Sequence, residues 1–541
     1  MVSDLRRQEH TDFPIEGRRE AMMAFAPRRA SSARDREEPI RTSTSRIPPP
    51  RRISRPTKSL LVIFVFTACI LFINRPMRKR HIIVISSTYY NQSKSIQNDT
   101  VVVLFNSHKR WYLEKPLICV SRNETHVEKS LAHVQFAYDP ISICSWTAFV
   151  AHCPTVKSPN SFELSTAQYF ASSTELPLRL PYQRKVDVVA CYSPLFYNER
   201  WQLIVNTLEV YRQYGVGVQA FYVQSMLHEI MDLLKVYQKK GYAEIEFWPM
   251  LSLGQHFEDE MGFSPNEQLD WRNQASAHSD CLLKYKDAAK FIIISDIDDV
   301  LFPRIGETYI EEFMKLSSDY PNAAGFTYNR YNAEVTTTLN PQEFSLSNLI
   351  DSSEIHHEWE DGKSVYNPER VFTAWIHWPG LTHSPGYKMH LVPSHENIMV
   401  HMRKWKMSGE PAKGQKATSK SKYFDVFDLR IQDIISRHKT KQLQREFNRT
   451  FAQTEEFKRL PTKVRYYPLI AECYQKIFYD KRKHPDSCPG PINCFLPPMP
   501  NVKCSVAKTD FVFNKVHDGL FMHYPHQSRF VTHLDGCNML S

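Results

Sequence analysis

One segment of this 541-residue chain constrains its fold and its chemistry more than any other, namely FIIISDIDDVLFPR at residues 291–304. Its apolar, mostly β-branched start predicts a buried strand, and Asp296, Asp298 and Asp299 follow directly. Neighbouring carboxylates repel one another unless a cation or hydrogen bonds compensate, and their oxygens suit hard divalent ions such as Mg²⁺ or Mn²⁺. The segment therefore predicts a divalent-metal site at the end of a core strand. A solvated acidic turn is the alternative.

The chain around this segment alternates between strand-like and helix-like patterns from Val186 onwards. Strands are predicted at 186–191, 216–223, 243–250 and 291–295, and helices at 201–214, 227–239 and 269–285. This order predicts an α/β fold with a mostly parallel sheet and helices on both faces. Ligands of such open sheets bind at the carboxyl ends of the strands, where the acidic segment lies. Neither a Gly-x-Gly-x-x-Gly motif nor a Walker loop follows the first strand, which disfavours a dinucleotide-binding fold and a P-loop NTPase.

The composition divides the chain into five regions. We predict a disordered basic cytoplasmic tail at 1–58, a transmembrane signal anchor at 59–74, a stem with a small β-rich region at 75–183, a catalytic α/β domain at 184–480, and a Cys- and Pro-rich C-terminal extension at 481–541. Runs such as VVVLF and PLICV, at 101–105 and 116–120, indicate strands in the β-rich region. We expect the extension to wrap the catalytic domain as disulfide-held loops.

The anchor is predicted from SLLVIFVFTACILFIN, sixteen uncharged residues at 59–74. The charged leader before it is too long for the n-region of a signal peptide, and no small-x-small cleavage site follows within 74–81. An uncleaved membrane span is therefore expected rather than a removed leader. Its short length suits a thin membrane of the early secretory pathway.

The formal net charge of +10 lies almost entirely near the N-terminus. Residues 1–58 contain 14 Lys and Arg against 8 Asp and Glu, and four basic residues at 75–80 supply the rest of the excess. A protein that binds nucleic acid should carry its basic excess on a folded domain. The nearly neutral remainder therefore predicts no nucleic-acid partner.

Glycosylation sequons and cysteines place the region after the anchor in an oxidising lumen. Sequons begin at Asn91, Asn98, Asn123 and Asn448, all on the C-terminal side of the span. Ten of the eleven cysteines lie on that side too, an even number that indicates disulfides of unspecified pairing. A zinc knuckle made by the last cysteines is disfavoured because they lack paired Cys-x-x-Cys spacing. We therefore predict a type II membrane protein.

Two classes of enzyme place Asp-x-Asp after a buried strand. In nucleotide-sugar glycosyltransferases the carboxylates hold a divalent cation that bridges the diphosphate, and a separate carboxylate takes the proton of the acceptor hydroxyl. In haloacid-dehalogenase-like phosphatases the first Asp is a nucleophile and the second a general acid, a pattern that Asp296 to Val300 also matches. Those phosphatases need a later strand that runs into a Gly-Asp-x-x-x-Asp-type motif, and this sequence has none. The transferase is therefore favoured.

Several ordered motifs resemble glycosyltransferase family 92, once called domain of unknown function 23, over about residues 185–405. The resemblance is carried by VVACYSPLFYNERW at 188–201, LEVYRQYGV at 208–216, the Asp-x-Asp strand, KSVYNPERV at 363–371, IHWP at 376–379 and VHMRKW at 400–405. It implies a GT-A-like fold, a Golgi membrane enzyme with its catalytic domain in the lumen, and Mn²⁺-dependent inverting transfer of galactose from UDP-galactose to a glycan or glycoprotein. Some members of that family extend core fucose on N-glycans, which makes core fucose one candidate acceptor.

The resemblance also implies roles for individual residues. Asp298 and His401 are expected as metal ligands, Asp296 as a ligand of the metal or the ribose, and Asp299 as a further metal ligand that stands where the family usually has Glu. Lys363 and Arg370 are expected to hold the diphosphate. Glu369 is the predicted catalytic base, with Glu334 as its main rival.

Aromatic residues near these motifs are candidates for sugar binding. Trp375, Trp378 and Trp405 could stack on a pyranose ring, and His377 could stand beside the substrate, although most tryptophans and histidines of this kind are packed in a core. A different class altogether, a non-catalytic glycan-binding membrane protein, is disfavoured because the acidic triplet is intact.

Overall fold

The computed structural model of the chain describes residues 79–110, 116–166, 174–407, 423–424, 429–480, 487–490, 494, 496–517 and 519–537. The predicted cytoplasmic tail and the predicted membrane anchor lie outside these residues. Across the described ranges, none of the helices combines the length and the apolar character that crossing a membrane requires.

The first part of the described chain is built from strands, as predicted for the small β-rich region. They are β1 (Arg80–Tyr90), β2 (Thr100–His108), β3 (Leu117–Arg122), β4 (Val127–Leu131), β5 (His133–Phe136), β6 (Trp146–Pro154), β7 (Ser161–Thr166) and β8 (Thr174–Glu175). Strands β2 and β3 contain the VVVLF and PLICV runs. The order β4-β3-β7-β8 forms a small four-stranded sheet.

From Val186 the chain alternates between strands and helices. The elements up to the acidic segment are β9 (Val186–Leu195), α1 (Trp201–Gln213), β10 (Val216–Val223), β11 (Ser225–Leu227), α2 (His228–Lys239), β12 (Ala243–Phe247), α3 (Gln255–Met261), α4 (Gln274–Tyr285) and β13 (Ala289–Ser295). Helix α1 ends where predicted because Gly215 adopts φ +96°, a left-handed conformation that terminates helices at low cost.

The second half of the domain adds long antiparallel strands and peripheral helices. These elements are β14 (Asp299–Leu301), α5 (Tyr309–Asp319), β15 (Ala323–Thr337), α6 (Leu346–Asp351), β16 (Glu354–Tyr366), β17 (Val371–Ala374), β18 (Pro379–Thr382), β19 (Lys388–Val392), β20 (Met399–Met407) and β21 (Tyr423–Phe424). Strands β17 and β18 pair with each other in a separate ribbon.

The C-terminal part contains helices and one long hairpin. Its elements are α7 (Ile431–Ile434), α8 (Arg437–Thr450), α9 (Glu455–Lys458), α10 (Tyr466–Tyr474), a π-helical turn at Gln475–Tyr479, β22 (Cys504–His517) and β23 (Leu520–His533). The prediction of a loop-like extension at 481–541 is therefore wrong in part, because two fourteen-residue strands occupy much of it.

The central sheet has the strand order β12-β10-β9-β13-β16-β15-β20-β14, with β19 paired to β15 and β21 to β16. Strands β12, β10, β9 and β13 run parallel, which confirms the predicted α/β core. Beyond β13 the sheet is mixed, because β16 is antiparallel to both of its neighbours. The acidic segment follows β13 and so lies at the carboxyl end of the parallel half, as expected.

Helices cover both faces of the parallel half, as predicted. Successive side chains of a strand point to opposite faces of its sheet. Accordingly, Val188 and Ala190 of β9 pack in one buried cluster with residues of α1, α2 and α5, whereas Val189 and Cys191 pack in another with residues of α4.

A second large sheet joins the two ends of the described chain. Its order is β11-β22-β23-β1-β2-β6-β5, and β1 runs parallel to β23 from the Arg80–Leu520 pair to the Ile83–His523 pair. Four strands of the β-rich region, β1, β2, β5 and β6, therefore belong to the same sheet as the C-terminal hairpin.

The predicted helix at 269–285 begins later than expected. Trp271, Arg272 and Asn273 adopt φ of 48°, 54° and 61°, a left-handed turn that ordinary residues seldom adopt, and α4 starts only at Gln274. The sequence has no glycine or proline at this turn, so the helix predicted from the sequence pattern extended through it.

The ten predicted lumenal cysteines form five disulfides: Cys119–Cys153, Cys144–Cys488, Cys191–Cys281, Cys473–Cys494 and Cys504–Cys537. The cysteines of the disfavoured zinc knuckle are thus engaged in disulfides. Of the predicted sequons, those at Asn91, Asn98 and Asn448 are exposed and that at Asn123 is half-buried. Their glycosylation stays a prediction.

The close contact between β16 and β15 can be tested by a substitution at Gly362 of β16. A Cβ atom at this position would lie 1.9 Å from the backbone oxygen of Tyr328, which is itself held in the sheet. Gly362→Ala should therefore destabilise the fold by about 1–3 kcal/mol and lower the thermal unfolding temperature. Gly386→Ala is the matched control, because its Cβ would meet only the Ser384 hydroxyl at 3.6 Å. Equal unfolding temperatures for the two variants would contradict the prediction.

Candidate functional site

A cavity of about 420 Å³ opens at the carboxyl ends of β9 and β13. Residues from distant parts of the chain line it: Ser193, Pro194, Leu195, Phe196, Tyr197, Asn198, Glu199, Arg200, Leu203, Trp271, Gln274, Asp296, Ile297, Asp298, Arg330, Lys363, Ile376, His377, His401, Arg403, Tyr467, Ile470, Tyr474 and Tyr479. It thus includes Asp296, Asp298, Lys363 and His401 from the predicted set.

Asp296 is held by four groups. Its Oδ1 accepts hydrogen bonds from the hydroxyl of Ser193 and from Nε2 of Gln274 at 3.0 Å, and its Oδ2 lies 2.9 Å from Nζ of Lys363 and 3.5 Å from Nη1 of Arg330. Burial alone would raise the pKa of Asp296, but the charges of Lys363 and Arg330 and the Ser193 hydrogen bond lower it well below its usual range. Asp296 is therefore a fixed anion.

Asp298, Asp299 and His401 form a separate cluster whose potential ligand atoms all lie within 4.8 Å of one another. Strand register brings them together, because Asp299 on β14 is paired with His401 on β20. The Nε2 atom of His401 lies 3.5 Å from Oδ2 of Asp298. Asp296 lies outside this cluster, and its role as a ligand of the metal or the ribose stays a prediction.

The chemistry of this cluster fits a divalent cation. Nδ1 of His401 lies 2.9 Å from Oδ1 of Asn332, an oxygen that only accepts hydrogen bonds. In the neutral form that a metal ligand needs, His401 would therefore carry its proton on Nδ1 and leave the lone pair of Nε2 on the side of Asp298. Asp299 is fully buried and its Oδ1 has no hydrogen-bond partner among the described residues. Two carboxylates and a neutral imidazole form a donor set that Mn²⁺ accepts.

The pKa values of the two carboxyl groups shift in opposite directions. Burial raises the pKa of Asp299 to about 6, and the charge of Arg330 offsets only part of this effect. Burial also opposes ionisation of Asp298, but the positive charge that His401 carries when protonated and the Arg200 guanidinium lower the pKa of Asp298 to about 2. A buried carboxyl group with one unpartnered oxygen and a raised pKa fits a position that binds a cation.

Arg330 is a central residue that the sequence did not reveal. Its guanidinium lies 3.4 Å from Oδ2 of Asp299 and 3.0 Å from Oε2 of Glu360, in addition to its contact with Asp296. Burial would lower the pKa of Arg330, but these carboxylates raise it, so the side chain stays charged. Arg330 and Glu360 lie on the neighbouring strands β15 and β16, outside any motif.

Arg200 is a second functional candidate that the sequence did not single out. Its guanidinium lies 4.6 Å from the ring centre of Trp405 and 4.0 Å from that of Tyr467, and its Nη2 is 3.7 Å from Oδ2 of Asp298. Its Nη1 is buried and has no hydrogen-bond partner among the described residues. Arg200 belongs to the NERW sequence at 198–201, part of a motif that carries the family resemblance, and this was the signal that could have identified it.

Three predicted residues lie elsewhere. Nη1 of Arg370 donates to the backbone oxygen of Ala323 at 2.7 Å, Glu369 pairs with Lys94 at 2.6 Å, and Glu334 pairs with Lys406. None of the three lines the cavity. The diphosphate role of Arg370 and the base roles of Glu369 and Glu334 thus have no support from this geometry.

Of the four aromatic residues predicted near the substrate, one lines the cavity and three do not. His377 lines the cavity and its Nδ1 lies 2.9 Å from the Gly362 oxygen, while burial and the charge of Lys363 lower its pKa well below the usual value. Trp375 and Trp378 pack against each other at 5.7 Å and do not line the cavity. Trp405 does not line the cavity either, but its ring contacts the guanidinium of Arg200, which does.

The sequence of this chain is similar to those of known proteins. A sequence profile described as "Glycosyltransferase family 92" matches residues 186–451. Three Caenorhabditis elegans proteins, each described as a glycosyltransferase family 92 protein, are 34%, 27% and 33% identical to this chain. The alignments cover 85%, 85% and 61% of this chain and 90%, 90% and 65% of the respective relatives.

A solved structure of UDP-glucose pyrophosphorylase complexed with UDP-glucose matches with 10% identity over 41% of this chain and 91% of its own. Its TM-score of 0.16 is too low to support a common fold.

Asn332 offers a test of the metal cluster that leaves every proposed ligand in place. Asn332→Leu removes the acceptor that fixes the tautomer of His401 and should weaken Mn²⁺ binding about 10- to 100-fold, as measured by titration of free Mn²⁺ with electron paramagnetic resonance. Asn329→Leu on the same strand is the control, since Asn329 donates to Ser394 at 3.2 Å and lies outside the cavity. Unchanged Mn²⁺ affinity in Asn332→Leu would show that His401 is not a ligand.

Proposed function

Because the chain belongs to glycosyltransferase family 92, we propose that it transfers a hexose from a nucleotide-sugar donor to a hydroxyl group of a glycan or glycoprotein, with inversion and with a divalent cation. Galactose from UDP-galactose is the proposed donor group, and Mn²⁺ the proposed cation. The observation that carries the proposal is the cluster of Asp298, Asp299 and His401 beside a cavity lined by four cationic side chains, those of Arg200, Arg330, Lys363 and Arg403.

The residues of the cluster would bind the cation through carboxylate oxygens and Nε2 of His401. When bound, the cation would offset the negative charge that builds up on the diphosphate as the bond to the hexose breaks. Asn332 keeps the imidazole in the required tautomer, and Arg330 keeps Asp299 close to the site by a contact of 3.4 Å.

Arg200 is the cavity cation best suited to contact the diphosphate. The other three cations are already paired with Asp296, Asp299 or Glu360, whereas Arg200 has one distant carboxylate neighbour and an unpartnered Nη1. An arginine guanidinium binds phosphate oxygens in a directional manner. Lys363 would act chiefly by fixing Asp296, which in turn remains a candidate contact of the ribose.

The same geometry argues against phosphatase chemistry. A nucleophilic Asp296 would need a carboxylate oxygen free to attack phosphorus, but its Oδ1 accepts from Ser193 and Gln274 and its Oδ2 pairs with Lys363. Family membership points in the same direction.

Transfer to a hydroxyl group needs a proton acceptor. The carboxylates among the described cavity residues are already engaged: Asp296 by its four partners, Asp298 in the metal cluster, and Glu199 by three backbone N–H groups. Glu369 and Glu334 lie outside the cavity. We therefore assign the role of catalytic base neither to Glu369 nor to Glu334.

We further propose that the protein is a single-pass type II protein of the Golgi membrane with this domain in the lumen. Five disulfides and sequons on the surface suit an oxidising secretory compartment. Core fucose on N-glycans is one acceptor to test.

Donor binding tests the proposal directly. Isothermal titration of the full-length chain with UDP should show binding that requires Mn²⁺, and Asp298→Asn should weaken it by at least about 100-fold. Asp187→Asn is the control, because Asp187 is 52% exposed and paired with Lys290, away from the cavity. UDP binding that is indifferent to both Mn²⁺ and Asp298 would contradict the metal-dependent transferase.

A donor panel tests the proposed sugar. We expect UDP-galactose to support product formation on an N-glycan acceptor with core fucose, and we expect less product from UDP-glucose, UDP-N-acetylglucosamine and GDP-mannose. Mass spectrometry of the acceptor would detect the added hexose. Preference for another nucleotide sugar would overturn the galactose assignment while leaving the transferase class intact.

A further inference from the structure

Part of the cavity surface comes from the C-terminal region and differs chemically from the rest. We call Tyr467, Ile470 and Tyr474 of α10, together with Tyr479 of the π-helical turn, the C-terminal wall; all four line the cavity. None of these side chains carries a charge at neutral pH. The charged lining residues, by contrast, all come from the strands and loops between 199 and 403.

A buried carboxylate fixes the beginning of this wall. Glu199, which is 3% exposed, accepts hydrogen bonds from the backbone nitrogens of Arg465, Tyr466 and Tyr467 at 2.7, 2.7 and 2.6 Å. These are N–H groups that the start of α10 leaves without intrahelical partners, and a carboxylate there also suits the helix dipole. The loop after β9 thus sets the position of a helix more than 260 residues away in sequence.

The other side of the wall is fixed through Trp271, which also lines the cavity. The Trp271 ring lies 4.7 Å from that of Phe478 and 5.9 Å from that of Tyr474, and its backbone nitrogen donates to the oxygen of Pro489 at 2.7 Å. Trp271 belongs to the left-handed turn in which three successive non-glycine residues have positive φ. Such conformations persist where the surroundings enforce them, and they are concentrated at functional sites.

Tyr467 leaves an aromatic surface available inside the cavity. It is 37% exposed, although the Arg200 guanidinium lies 4.0 Å from its ring centre. Flat apolar rings that carry a hydroxyl group can pack against the C–H face of a pyranose and bind its hydroxyls. The wall therefore has the composition of a surface for a neutral sugar rather than for a diphosphate.

We propose that the C-terminal wall and Trp271 form the acceptor subsite, where a neutral sugar residue of the acceptor glycan stacks on aromatic rings. This inference rests on the proposed transferase function and assigns the charged part of the cavity to the donor. The family profile ends at residue 451, before the wall begins, whereas the acidic cluster and Arg200 lie within it.

Helix α10 offers a matched pair of variants for the test. Tyr467 and Leu469 are 37% and 36% exposed on the same helix, but only Tyr467 lines the cavity. We would purify the full-length wild type, Tyr467→Ala, Tyr467→Phe and Leu469→Ala, and compare their thermal unfolding temperatures.

Binding is then measured on two separate probes. Isothermal titration with UDP and Mn²⁺ reports the donor part of the cavity, and an array of N-glycans, O-glycans and glycolipid head groups, probed with UDP and Mn²⁺ present, reports the acceptor part. Tyr467→Ala should weaken glycan binding about two- to tenfold and change the Kd for UDP by a smaller factor, because Arg200 keeps its contact with Trp405. Tyr467→Phe and Leu469→Ala should retain most of the glycan binding.

Three outcomes would count against the inference. Equal weakening of UDP binding in Tyr467→Ala would assign the wall to the nucleotide, and equal effects of Leu469→Ala would show a merely structural role. Binding of UDP and Mn²⁺ by a wild type that binds none of the glycans would overturn the acceptor subsite. Tyr467-dependent glycan binding without any UDP binding would instead support the subsite and contradict the proposed transferase.

Discussion

The candidate site depends on a buried network of opposite charges. Arg330 connects Asp296, Asp299 and Glu360, and the fully buried Lys363 forms a second ion pair with Asp296. Burying such groups costs solvation free energy that their mutual attraction need not recover, so a network of this kind is weak evidence for stability. Its evident effect is to let several carboxylates lie close together in a buried place, which is the condition for a cation site. Without Arg330 and Lys363 the acidic segment would have to protonate or move apart.

Strand register turns this network into a site of defined geometry. Asp299 is paired with His401 across β14 and β20, and His401 is paired with Asn332 across β20 and β15. A shift of one residue in either pairing would send the partner side chain to the opposite face of the sheet. The metal cluster is therefore specified by the same contacts that hold the core of the sheet together, and the Cys191–Cys281 disulfide fixes the neighbouring β9 to α4.

The sequence predicted what short-range patterns determine. Strands β9, β10 and β13 and helices α1 and α2 follow from the spacing of apolar residues, and the acidic triplet follows from three neighbouring letters. The sequence did not predict Arg330, Glu360 and Arg200 as site residues, because an arginine or glutamate on a half-buried strand or loop has no local signature. Only pairing with residues far away in sequence gives such a side chain a role. Glu369 was selected for its place in a motif, and its pairing with Lys94 shows that proximity in sequence to Lys363 does not bring it into the cavity. The predicted helix at 269–285 begins too early for a related reason: at Trp271, tertiary contacts with Phe478 and Pro489 override the local preference for a helix.

The parallel pairing of β1 with β23 has a consequence for how the protein is made. Strand β1 leaves the ribosome early and can pair with β2 soon afterwards, but its other edge must wait for β23; His81 and His523, which lie 3.0 Å apart in the finished fold, are separated by 442 residues. During that interval an unpaired strand edge stays open to incorrect partners. Biosynthesis of this protein therefore has a late closing step, in which β1 pairs with a strand that is translated long after it. A variant that lacks the hairpin of β22 and β23 would leave the sheet unsealed at β1.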